Sequence, residues 1–66
     1  MIKHKYTVTG ISTLEGYKFE SVCIHEDMIK AIKMYRNHGF SVHSISMGEQ
    51  VPADSECTFI SRKWLS

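Results

Sequence analysis

Asp27-Met28-Ile29-Lys30-Ala31-Ile32-Lys33-Met34-Tyr35-Arg36-Asn37-His38-Gly39 is the stretch that decides the fold, because only here does the apolar period change from two to that of a helix. Met28, Ala31, Ile32 and Tyr35 fall at i, i+3, i+4 and i+7, with Lys30, Lys33 and Asn37 opposite. Asp27 suits the N-cap, Glu26 and Asp27 suit the positive end of the helix dipole, and Arg36 suits the negative end. Gly39 is placed to take the left-handed conformation that stops a helix near His38.

On both sides of this helix the chain reads as strand. Lys3 to Ile11 alternates and is rich in β-branched and aromatic residues, Ser12 to Gly16 has the composition of a turn, and Tyr17 to Ile24 is again strand-like. So short a connection forces an antiparallel hairpin. After the helix, Phe40 to Met47 resumes the strand pattern, Gly48 to Glu56 reads as a loop, and Cys57 to Leu65 reads as a fourth strand or a tail. The expected fold class is therefore α+β: a small antiparallel sheet, ββαββ or ββαβ plus a C-terminal tail, with one amphipathic helix packed on one face.

The 66 residues make one domain, 1–66, near the lower size limit for independent folding, and self-association is one way to add stability. Eight Lys and Arg against seven Asp and Glu leave a net charge of +1, so no global field draws the chain to nucleic acid or to a membrane. No run approaches the ~20 apolar residues of a membrane span, and Met1 to Tyr6 lacks the apolar core of a secretory signal. A cytoplasmic protein with reduced thiols at Cys23 and Cys57 is expected.

One helix covers only one face of a sheet. With Tyr6, Val8, Phe19, Cys23, Phe40 and Val42 turned to the helix, strict alternation sends Ile11, Val22, Ile24, Ile45, Met47, Ile60 and Trp64 toward the other face. A contiguous apolar face of that kind marks a contact site, and these seven residues form the expected protein interface. The competing reading is a phase shift by β-bulges, at Val22 to Ile24 and at Ser44 to Ile45.

Chemistry-bearing patterns are sparse. His38 and His43 have H-x4-H spacing and Cys23-x-His25 shares one strand face, but no paired ligand motif is completed by His25, His38, His43 and Cys23, and no metal or cofactor is expected. There is no nucleophile elbow, His-Glu-x-x-His, phosphate loop or dinucleotide fingerprint, so an enzyme is not expected. Lys30, Lys33 and Arg36 on the exposed helix face, or the basic strand-end residues Lys3, Lys5, Arg62 and Lys63, with the aromatic residues Tyr6, Tyr17, Phe19, Phe59 and Trp64 on strands, offer an alternative as a binder of nucleic acid or a small anionic nucleotide.

Tyr6-x-Val8-x-Gly10, Glu15-Gly16, Ala31 and Gly39-Phe40-x-Val42-x-x-Ile45 together resemble a pattern of small ββαβ modules, among them the N-terminal segment of type II secretion F proteins. The resemblance spans about two thirds of the chain, consists of turn glycines and core positions, and implies a fold without a site. By size and lack of chemistry the chain also looks like short phage or mobile-element products that inhibit a host factor. The function expected is thus a non-enzymatic protein-interaction module that binds another protein and forms a homo-oligomer.

Overall fold

A computed structural model describes residues 2–65. The order is β1 (Lys3–Ser12), β2 (Lys18–His25), α1 (Met28–Asn37), β3 (Phe40–Val51) and β4 (Phe59–Leu65). The four strands form one antiparallel sheet in the order β3-β1-β2-β4, which makes the chain a small α+β fold. β1 lies between β3 and β2, so α1 links two strands that run the same way and crosses the strand between them.

Each end of the helix forms for a local reason. The Asp27 carboxylate accepts the Lys30 backbone N–H at 2.8 Å, and Gly39, at φ +83°, turns the chain out of the helix. The Gly39 carbonyl then accepts both the Thr13 backbone N–H at 2.9 Å and the Thr13 hydroxyl at 2.7 Å, which ties the β1–β2 turn to the helix exit. Ala31 and Tyr35 are fully buried and Met34 packs beside them, whereas Met28, expected in the stripe, is more than one third exposed.

The core is Tyr6, Val8, Phe19, Cys23, Ala31, Tyr35 and Phe40, with Met34, Val42, Ile45 and Phe59 packed against it. Tyr35 is its hub. Its ring stacks on Phe19 at 5.8 Å and meets Phe59 edge-on at 4.9 Å. Its hydroxyl donates to Ser21 Oγ at 2.7 Å, and Ser21 in turn donates to the Ser61 carbonyl at 2.6 Å. This chain of bonds satisfies the buried hydroxyls and joins α1 to β2 and β4; no buried side-chain polar atom among the described residues is left without a partner.

Three bulges correct the strand reading. One residue, His43, is extra between the pairs Thr9↔Ser44 and Gly10↔Val42, so Ile45 returns to the helix side opposite Val8 and joins the core instead of the open face. Met47 follows it, opposite Tyr6. Ile60 is extra between Val22↔Ser61 and Cys23↔Phe59, after which Trp64 stands opposite buried Phe19, again on the helix side. The third shift lies opposite Lys5, and through it β3 continues to Val51, so Gly48 to Val51 is strand where a loop was expected. β4 begins at Phe59, two residues later than expected.

Candidate contact surface

Only Ile11, Val22 and Ile24 of the seven expected interface residues lie on the face that α1 leaves open, by their pairing with Lys18, Thr7 and Lys5. Between and around them stand Thr7, Thr9, Ser41, Ser44 and Ser46, with Lys5, Lys18 and Glu20. The Thr9 and Ser44 hydroxyls hydrogen-bond to each other across β1 and β3. Such a face keeps company with water, which is why one helix suffices for this sheet. A shallow hollow of about 310 Å³ lies there, lined by Thr9, Ile11, Lys18, His43 and Leu65 among others.

The helix side offers a different surface. α1 packs on β3 and β2 and barely reaches β4, whose outer edge has no neighbouring strand among the described residues. The chain there is Phe59-Ile60-Ser61-Arg62-Lys63-Trp64-Leu65; Phe59 packs against the core, whereas the helix-side groups Arg62 and Trp64 stay exposed. The Arg62 guanidinium lies 5.4 Å from the Trp64 ring and 5.5 Å from the Phe40 ring. Tyr17, at the start of the hairpin's second arm, meets Trp64 edge-on at 6.3 Å. Trp64 is 44% exposed and Tyr17 61% exposed. Beside them, a hollow of about 250 Å³ between α1 and β4 is lined by Tyr35, Phe40, Phe59, Ile60, Ser61 and Arg62.

Sequence reasoning named Trp64 and Ile60 as interface residues, but counted Tyr17 only among the strand aromatics of the nucleic-acid alternative and Arg62 only among the basic residues near the chain's end. The signal available was residue type: tryptophan, tyrosine and arginine dominate binding hot spots, because each combines a large flat contact area with a polar end.

The titratable groups are dispersed. His4 and His25 are cross-strand partners, His38 meets Phe59 edge-on at 5.2 Å at the helix end, and His43 sits in its bulge on the open face. No three His, Cys, Asp or Glu side chains among the described residues converge as metal ligands would. The three helix cations do not act as one group either: Lys30 pairs with Glu26 at 3.1 Å, which raises the lysine pKa and lowers the carboxyl's, while Lys33 and Arg36 extend into solvent.

Burial pushes the Cys23 thiol up, and burial does the same to the Tyr35 and Tyr6 hydroxyls. A thiol held protonated is a poor nucleophile. Cys57 is only partly buried. We therefore expect one thiol to react rapidly with a disulfide reagent, and the second to react only on denaturation; two fast equivalents would contradict the packing at Cys23. The sign with pH follows from the same shifts. Above about pH 8.5, and again above about pH 10, the unfolded chain releases thiol and phenol protons that the folded chain retains, so stability falls as pH rises.

No helix among the described residues is long and apolar enough to cross a membrane. Comparison with known proteins finds no matching family model, no similar curated protein and no similar solved structure.

Proposed function

We propose that this chain is a cytoplasmic protein-interaction module that acts by contact alone, and that its contact surface is the helix side of β4 and the adjoining hairpin arm. The observation that carries this reading is the exposed cluster Trp64–Arg62–Tyr17, in which a guanidinium and a second ring hold the only tryptophan of the chain at the surface. Water-exposed aromatic area of this kind is unfavourable for an isolated small domain and favourable once covered. A small protein that works by occupying another protein's surface, as an inhibitor does, needs no more than this. Self-association is a further use of the same surface, although Arg62 and Lys63 would then face their own copies when two β4 edges pair antiparallel.

The test is selection of a phage-displayed random peptide library on the immobilised protein. Clones are expected that bind the native chain and lose about 2 kcal/mol, roughly 30-fold in affinity, on Trp64→Ala. Circular dichroism should show the variant folded, because Trp64 lies outside the buried core. A selection that enriches nothing above an unrelated control, or only clones indifferent to Trp64→Ala, removes the proposal.

A further inference from the structure

The two elements that border the hollow share one sign of charge. α1 carries Lys30, Lys33 and Arg36 and no acid, and β4 carries Arg62 and Lys63 and no acid. These are five of the chain's eight Lys and Arg, so the remainder of the molecule is net acidic although the whole is nearly neutral. Lys30 is engaged by Glu26, and Lys63 stands opposite Glu20 on the open face. Arg62 is different: no carboxylate among the described residues pairs with it, its register partner is Ser21, and its guanidinium lies 5.5 Å from the centre of the Phe40 ring and 5.4 Å from that of Trp64 at the rim of the hollow. A guanidinium held on two rings keeps its N–H edge available for a carboxylate, and holding it in place beforehand lowers the entropy cost of pairing.

The hollow lies over buried Tyr35 and is bordered by Phe40, Phe59 and Ile60, which are apolar, and about 250 Å³ is room for one large side chain. From this juxtaposition, and resting on the interaction reading above, we propose that the hollow takes an acidic segment of another protein, with a leucine or aromatic side chain seated between α1 and β4 and an Asp or Glu carboxylate on Arg62. The α1 and β4 of a second copy are poor occupants, since both are cationic. A single-stranded nucleic acid, which would stack its bases on the exposed Trp64 and Tyr17 rings, is the competing occupant that the oligonucleotide titration tests.

Trp64 is also the probe. Four synthetic ligands are titrated into the full chain while its tryptophan emission is followed: a peptide of Glu and Asp with a central Leu-Phe pair, the same peptide with Ala at that pair, the same peptide with Lys for each acid, and a 20-nucleotide oligothymidylate. The first is expected to bind and shift the emission, and the Ala and Lys analogues to bind at least tenfold more weakly, a difference of about 1.4 kcal/mol each. Arg62→Glu should reverse the order of the acidic and basic peptides while leaving the far-ultraviolet dichroism unchanged. Equal binding of acidic and basic peptides, no loss with the Ala analogue, an unaltered order in Arg62→Glu, or tighter binding of the oligonucleotide would each overturn the proposal. The two failures stay separable: display clones that depend on Trp64 but are basic or lack an anchor keep the interaction module and refute its acidic partner.

Discussion

Gly10→Ala is expected to lower the melting temperature by about 12 °C or more, or to abolish the cooperative transition, the equivalent of some 3 kcal/mol in a domain of this size. A methyl group there would lie 2.0 Å from the Ser41 carbonyl oxygen and 3.0 Å from the Phe19 ring. The ring could swing aside, but the carbonyl belongs to the backbone of β3 beside the His43 bulge, so relief requires β3 to move off β1. Phe19 lies opposite Gly10 in β2 and fills the space that a side chain would take. Gly48 is the control: its added methyl would meet the Lys5 carbonyl oxygen at 3.1 Å, which a shift of a few tenths of an ångström relieves, so Gly48→Ala should cost far less. A Gly10→Ala protein that melts within a degree or two of the native chain would mean that β3 does not approach β1 as described.

Tyr35→Ala should remove half or more of the domain's stability and shift its denaturation midpoint far below that of the native chain. Truncating a buried aromatic residue costs about 3–5 kcal/mol, and at roughly 0.05–0.15 kcal/mol per residue the whole domain has only about 3–10 kcal/mol to lose. Here the lost ring is the one that touches Phe19, Phe40 and Phe59 together, so no single neighbour can collapse into its place. Tyr35→Phe separates the ring from its hydroxyl. It keeps those contacts and removes only the bond to Ser21, for an expected loss of about 1 kcal/mol in urea denaturation. If Tyr35→Ala retained a cooperative transition near the native midpoint, the aromatic cluster would not be the centre of stability.

The helix and the hairpin were legible because their signals are local. Asp27, the period through Tyr35, and Gly39 lie within one short segment, and the turn residues Ser12 to Gly16 sit between two alternating runs. What alternation alone misplaced lies beyond a bulge in every case. A bulge inserts one residue, and each side chain after it changes face, so Ile45, Met47 and Trp64 moved together with the insertions at His43 and Ile60. The trace of the first was present in the spacing Phe40, Val42, Ile45, Met47, where a gap of three interrupts a period of two. Gly48 read as a loop residue, yet it sits in β3 where the strand shifts register opposite Lys5. The contact surface was half legible: Trp64 announced itself by type, but the closeness of Arg62, Phe40 and Tyr17 depends on which strand lies beside which.

The strand order also sets a timetable for assembly. The β1–β2 hairpin closes across a five-residue turn, whereas the bond from Ser21 to Ser61 joins positions 40 residues apart. Each doubling of such a loop adds about 0.6 kcal/mol to the entropy of closing it, and contacts distant in sequence form late. As a chain emerges from synthesis, the hairpin can form first, α1 and β3 can follow, and β4 is the last strand to arrive at the sheet's edge. The cationic rim beside an aromatic hollow therefore exists only once the rest of the sheet is in place, and until β4 docks the edge of β2 lies unpaired.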